Sequence, residues 1–231
     1  MRLKLLLSIF SFYLISCSSP TNSPKFINAV TGKYLYNSDE TLEVFFIEND
    51  MFLKWRGATK IKPLIINENT FFIKEMNEKI QFSINYETEE NYIILVPKKE
   101  NDSIKFKFRK LKKDEKIPND FLKEGNFNKA LEGYLTIQKN DSLDKSVSEK
   151  NFNKLGYRAL NNNNFTKALG IFKINMKLHP NSSNVYDSYA DALKKSGDTI
   201  KAIEYYKKSL AIDSGNKRAK KFINKYSITT K

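Results

Sequence analysis

Hydrophobic and polar positions alternate with a period of two through the middle of the chain. Ile80, Phe82, Ile84 and Tyr86 alternate with Gln81, Ser83 and Asn85; Ile104, Phe106 and Phe108 alternate with Lys105, Lys107 and Arg109. Side chains of a strand point to opposite faces in turn, so these segments predict half-buried strands with one wet face. Leu42 to Ile47 and Tyr92 to Val96 are nearly all apolar and predict strands covered on both faces. Shorter candidates are Lys33–Tyr36, Met51–Trp55, Lys60–Ile66 and Thr70–Lys74. Between them, Asn37-Ser38-Asp39, Glu48-Asn49-Asp50, Asn67-Glu68-Asn69 and Lys99-Glu100-Asn101-Asp102 supply turn chemistry. About eight short strands at this spacing predict an antiparallel meander closing toward a barrel or a curled sheet over residues 26–111.

Beyond residue 116 the pattern changes from alternation to a long repeat. Phe152-x-x-Leu155-Gly156 and Tyr186-x-x-Tyr189-Ala190 lie 34 residues apart, and the same offset links Asn163 to Gly197, Ala168 to Ala202 and Phe172 to Tyr206. One period held at five positions marks an internal repeat. Pro180 falls where one unit must stop. An earlier unit, Gly125-Asn126-Phe127-x-x-Ala130-x-x-x-Tyr134, matches the second half of the pattern, and Pro118 shortens its first helix. Ala130 and Ala168 are 38 residues apart, so four extra residues separate this opening unit from the next. Ser146-x-x-Glu149 has the form of a capping box for the helix that follows. After the last unit, Ala219, Phe222, Ile223 and Tyr226 mark one apolar face amid Lys217, Arg218, Lys220 and Lys221, as a solvating end cap requires.

The 34-residue pattern of an aromatic, then Leu-Gly, then a small residue and an aromatic resembles the tetratricopeptide repeat, a helix–turn–helix unit. The resemblance implies units at 117–140 (degenerate), 149–180 and 183–214 with a capping helix at 215–226, within an array spanning 116–226. It also implies that Gly156, Ala168, Ala190 and Ala202 allow close helix approach. The carboxylate-clamp version of this repeat binds acidic chain ends with Lys and Asn on its inner helices. The matching positions here, Asn153, Tyr157, Asp187 and Asp191, lack that basic set. With Lys194 they form a mixed polar groove suited to an extended peptide or a partner helix. The fold class expected is thus α+β, an N-terminal antiparallel β-domain followed by an all-α repeat array. The β-segment itself, through Gly32-x-Tyr34, Leu42-x-Val44, Leu53, Pro63-Leu64, Phe71 and Ile80-x-Phe82, resembles the small β-module that follows bacterial β-lactamase-like serine hydrolases. That resemblance implies, as an alternative, an accessory or regulatory subunit of a separately encoded hydrolase.

The first residues carry a different signal. Arg2 and Lys4 precede an apolar run from Leu5 to Ile15, too short for a bilayer-crossing helix of about 20 residues but suited to a signal peptide. Leu14-Ile15-Ser16-Cys17 resembles the lipobox of bacterial lipoproteins. The resemblance implies removal of residues 1–16, lipidation of Cys17 and a lipidated tether over 17–25. Ser18 and Ser19 do not resemble the aspartate-type retention signal, so the outer membrane, periplasmic face, is the expected location.

Charge and chemistry narrow the function further. Net charge is +14 over 231 residues, but the basic residues are interspersed with acids rather than gathered in a stripe, which argues against nucleic acid as the partner. Cys17 is the single cysteine, so no internal disulfide forms. His179, the single histidine, stands before Pro180 at a helix end and reads as structural. Ser142-Leu143-Asp144-Lys145 spells a serine–lysine motif but lies in an inter-repeat linker with no Lys-Thr-Gly companion. Tyr34 and Trp55 are candidates either for the core or for lining a small-ligand cavity, the latter being a second alternative for the β-domain. No enzyme activity, cofactor or metal is expected. The expected partners are another protein or peptide of the cell envelope and, through the lipid anchor, the membrane.

Overall fold

The computed structural model describes residues 22–99 and 105–227. The segment expected to be a signal peptide, and Cys17, lie outside those residues. An antiparallel β-region comes first and a helical array follows it.

The chain enters through a short helix, α1 (Pro24–Val30). Pro24 sits in its first turn, where a missing N–H leaves nothing unsatisfied, and the Ser23 side chain accepts from the Phe26 N–H. Pro24 and Lys25, expected in the tether, therefore belong to a helix. Its Phe26 ring packs on Phe71 and Phe82 at centroid distances of 6.0 and 5.7 Å, and the Val30 carbonyl accepts from the buried Tyr34 hydroxyl at 2.8 Å.

Four strands follow, β1 (Gly32–Asn37), β2 (Glu40–Ile47), β3 (Asp50–Trp55) and β4 (Ala58–Ile61), each pairing antiparallel with the next. The second sheet is built the same way from β5 (Leu64–Asn67), β6 (Thr70–Ile73), β7 (Glu78–Asn85), β8 (Glu90–Leu95) and β9 (Lys105–Arg109). A bridge between Tyr34 and Lys110, with Leu111 N–H donating to the Lys33 carbonyl at 2.8 Å, joins β1 to the end of β9. The sheets thus run on as one curled meander whose outer edges are β4 and β5. The segment Lys60–Ile66, expected as one strand, is two. Pro63 has no N–H for a ladder and restricts Lys62 before it, so the chain breaks there. The interior is filled by Tyr34, Leu42, Leu53, Phe71, Ile80, Ile93 and Phe108, each at most 2% exposed.

The array comprises α2 (Pro118–Lys123), α3 (Phe127–Asn140), α4 (Glu149–Asn161), α5 (Phe165–Leu178), α6 (Ser183–Lys195), α7 (Thr199–Ile212) and α8 (Lys217–Ser227). The starts of α4 and α6, and of α5 and α7, are each 34 residues apart. The turn inside each hairpin is built the same way three times. A residue with positive φ, Gly125, Asn163 or Gly197, closes the first helix. The next residue, Asn126, Asn164 or Asp198, then caps the second helix by accepting from the N–H of Lys129, Lys167 or Lys201. Such repetition is what makes the array tetratricopeptide-like, independent of any sequence resemblance. Gly156 shows why a small residue is needed there: a Cβ would stand 2.5 Å from the Phe172 ring.

One capping expectation fails. The N-cap of α4 is Ser148, without a side-chain bond, whereas Ser146 bonds Asp144 at 2.7 Å. The four extra residues of the linker are spent on a 3-10 turn, Lys145–Val147, which Asp144 caps and which displaces Ser146 from the helix start.

Candidate functional site

The first helices of successive hairpins, α4 and α6, carry the five residues expected to line a partner groove. The structure brings them close together but leaves them unequal. Asp187 and Asp191 are 6% and 5% exposed. Arg218 of α8 donates to both carboxylates, with Nη1 2.6 Å from Asp191 Oδ2 and Nη2 on Asp187 Oδ2. Asn216 Nδ2 donates to Asp187 at 2.7 Å; the Tyr206 hydroxyl and Lys194 Nζ donate to Asp191 at 2.7 and 3.1 Å. Burial first, and then the bond to Asp191, push the Tyr206 hydroxyl well above the usual tyrosine range. Tyr157 reaches the same carboxylate at 3.3 Å, and Asn153 accepts from buried Asn175 at 3.2 Å.

These contacts differ from the open polar groove expected. Two aspartates one turn apart on α6 form a receptor for the guanidinium of the end helix, and their charge is consumed inside the fold. Only Asn153, Tyr157 and Lys194 retain partial exposure. The sequence does hold the signal: Asp187 and Asp191 at i and i+4 share a helix face, and Arg218 is the single arginine of the basic end helix. Reading that helix only as a solvent-facing cap concealed it.

A second cluster lies where the β-region meets the array. Asp39, in the turn between β1 and β2, reaches the start of α2, whose own N-cap residue Ile117 offers no side-chain bond. Asp39 Oδ1 accepts from the Asn119 N–H at 2.7 Å and Oδ2 from the Tyr134 hydroxyl at 2.8 Å. Beside it, the Ser38 hydroxyl bonds Asp144. Burial pushes the Asp39 carboxyl up to about 7, although Tyr134, the Asn119 N–H and Lys123 all favour its charged form. The same burial, with Asp39 alongside, raises the Tyr134 hydroxyl far above its usual range. The serine–lysine sequence at 142–145 is absorbed here. Its Asp144 is a turn cap and interface acceptor, and Leu143 is solvent-exposed.

The open concavity of the array is elsewhere, between α2, α4 and the start of α5. It is a cleft of about 400 Å³ with Leu122, Leu155, Ala159 and Ile171 at its base. Lys123, Arg158 and Lys167 stand around it with Asn119, Asn162 and Asn164. Among the described residues, neither Arg158 nor Lys167 enters an ion pair. Leu155 is 37% exposed. Across it, Asn119, Leu122 and Lys123 of α2 face the C-terminal half of α4 and the first turns of α5.

Elsewhere, Tyr34 is a wholly buried core residue, while Trp55 is partly buried at the edge of the core, packs on Tyr36 at 5.2 Å and lines a surface concavity with Tyr36, Arg56, Met76 and Phe108. His179 ends α5, and its Nε2 lies 2.8 Å from the Val147 carbonyl, tying the helix end to the linker turn. Among the described residues no group of three or more His, Cys, Asp or Glu side chains is placed to hold a metal, and no helix is long and apolar enough to cross a membrane.

No known family profile matches the chain, and no curated protein matches it in sequence. Among solved structures, it is similar to the first tetratricopeptide domain of Spaghetti (RPAP3) bound to an HSP90 peptide, at 16% identity and a TM-score of 0.35, over 49% of this chain and 86% of that one. It is similar to the Arabidopsis OM64 tetratricopeptide domain at 18% identity and 0.33, over 47% and 86%. It is also similar to the Sgt2 tetratricopeptide domain from Aspergillus fumigatus at 14% identity and 0.34, over 49% and 74%. Scores this low add nothing to the 34-residue hairpin geometry, which alone identifies the array as tetratricopeptide-like.

Proposed function

We propose that this chain is a lipid-anchored, non-catalytic docking protein of a bacterial cell envelope, held to the outer membrane through Cys17 and gripping a partner protein with its helical array. The cleft between α2 and α4 carries the reading. An apolar base of Leu122, Leu155, Ala159 and Ile171 beside Arg158 and Lys167, cations without an ion pair among the described residues, fits a protein segment with an apolar anchor and acidic neighbours. Apolar contact supplies affinity in such a site, and rim charge supplies orientation and encounter rate. The buried Asp187–Arg218–Asp191 cluster serves a different end, closing the array so that the cleft stays the open part of it. The β-region acts as the spacer and platform between anchor and array, fixed to α2 through Asp39 rather than hinged.

The reading is tested with detergent-solubilised envelopes, using the full chain and a version carrying Arg158→Glu with Lys167→Glu as bait. Arg158 is exposed and Lys167 partly so, and neither forms an ion pair among the described residues, so the variant is expected to fold normally. A partner retained by the native chain is expected to bind the variant about 10–100-fold more weakly, the loss growing at low salt. Equal retention by both baits would remove the cleft from the binding surface.

A further inference from the structure

The strand β5 is an anomaly in an otherwise ordered surface. Leu64, Ile65 and Ile66 are 48%, 42% and 50% exposed, so both faces of the strand are apolar and wet. Soluble proteins commonly blunt such an edge with charge or cover it. This edge carries neither, and it stands at the root of the tether. Asn22 and Ser23 share a concavity with Ile65, Asn67 and Asn69. The Asn22 side chain also donates to the Asn49 carbonyl at 2.8 Å, which brings in the β2–β3 turn and the exposed Ile47 before it. Asp50 of that turn is neutralised by Lys62 at 2.6 Å, and Lys62 leads directly into β5.

Five residue steps separate Asn22 from Cys17, a covalent reach of about 17 Å at most. A lipidated Cys17 would hold this end of the molecule, and no other, within that distance of the bilayer. We propose that Leu64, Ile65 and Ile66, with Ile47, enter the lipid interface as a second membrane contact, so that the β-region lies against the membrane in a fixed orientation. The inference rests on the lipid-anchor reading of Cys17.

Lipid fits this patch better than a protein strand does. A partner strand would pair with the backbone edge of β5, yet that strand has four residues and an irregular register against β6. Edge pairing also leaves both side-chain faces uncovered, whereas acyl chains and headgroups surround a protruding apolar strand on both sides. Lys25, in α1 at the tether end, and Lys60, four residues before β5, are exposed and suit anionic headgroups. Glu48 and Glu68, exposed on the two neighbouring turns, set a limit to insertion and keep it interfacial. Anchoring raises the local concentration of membrane, so a patch too small to bind from solution becomes effective.

The test uses full-length Ile66→Cys protein, purified after expression, carrying a bimane label and reconstituted in phosphatidylethanolamine vesicles with a minority of phosphatidylglycerol. Ser214→Cys, in the turn after α7, is the control. Mass spectrometry of the same sample reports whether Cys17 is acylated. Lipids brominated along the acyl chain are expected to reduce the emission of the label at 66 about twofold and leave that at 214 unchanged. An acylated sample in which both labels respond alike overturns the second contact and leaves the anchor intact. A label at 66 shielded from aqueous iodide but untouched by bromine shows a protein on the patch, such as a second copy, and also overturns it. An unacylated Cys17 overturns the anchor reading and the inference built on it.

Discussion

Replacing Arg218 by methionine is expected to destabilise the helical array by about 3 kcal/mol, measured by urea denaturation followed through helical circular dichroism. The substitution keeps much of the side-chain length but removes the donor shared by Asp187 and Asp191, whose side chains are 9% and 7% exposed. Two carboxylates would then remain in a poorly solvated site. Asn216 would be the other donor to the first; Lys194, Tyr206 and, more distantly, Tyr157 would serve the second. The guanidinium is itself half exposed, which places the loss at the low end for breaking a buried pair. Lys217→Met, on the same helix, is the control and should change stability by less than about 0.5 kcal/mol. Adding Asp187→Asn to Arg218→Met should recover part of the loss, because one unpaired charge disappears. If Arg218→Met is no worse than Lys217→Met, the cluster is surface decoration and the end helix is held by Ala219, Phe222 and Ile223 alone.

The second large effect is expected at Asp39 and is a dependence on pH. The folded state raises this carboxyl from its usual 3.8 to about 7. A raised acid is stabilising in its neutral form, so its contribution is complete below about pH 4 and is lost as pH rises through about 7. A displacement of about three decades corresponds to at most about 4 kcal/mol, and the protein should be more stable at pH 5.5 than at pH 8.5 by a sizeable part of that. The groups facing Asp39 are Tyr134 of α3 and the Asn119 N–H, Lys123 and Asp120 of α2. Asp39→Asn keeps a neutral acceptor for the Asn119 N–H and should flatten the profile while the fold persists. Asp39→Ala strands that N–H and the Tyr134 hydroxyl, and should lower stability by about 1–3 kcal/mol at either pH. Denaturation midpoints of the three proteins across this range decide the matter. A native profile as flat as that of Asp39→Asn would show that the junction holds its charge without penalty.

Much of the architecture was legible because it rests on periodicity. The 34-residue offset from Phe152 to Tyr186 and from Ala168 to Ala202 located α4 to α7, since close helix packing needs a small residue at the same place in every unit. Alternation at Ile80 and Phe82 located β7, but Ile84 and Tyr86, read as the same buried face, are 47% and 90% exposed because the end of the hairpin runs past the core. What escaped has no period. Helix α1 is seven residues long, and Pro24 reads equally well as tether punctuation or as a first-turn helix residue. Pro63 splits a continuous apolar stretch without changing its composition. Ser146 had the letters of a capping box, but an intervening 3-10 turn, set by the linker's length, moved it away from α4.

The site was less legible than the fold for a related reason. The repeat register placed Asn153, Tyr157, Asp187, Asp191 and Lys194 on the inner helices; Tyr157 and Lys194 meet at Asp191, whereas Asn153 turns to Asn175. Whether a polar side chain faces solvent or another element depends on what packs over it, and Arg218 covers the two aspartates from 27 and 31 residues away. Asp39 is more distant still, a turn residue that caps a helix 80 residues on. The cleft depends on how α2, α4 and α5 are placed against one another, which no local pattern of residues specifies.

On the function proposed, the helical array holds its partner at the cleft beside α4. Hydrogen exchange of the native chain, alone and with the protein it retains from solubilised envelopes, measures this directly. Slowed exchange is expected to concentrate in residues 118–123 and 155–171, with the strands β1 to β9 unchanged. Protection confined to the β-region, with the flanks of the cleft exchanging as in the free protein, would contradict it.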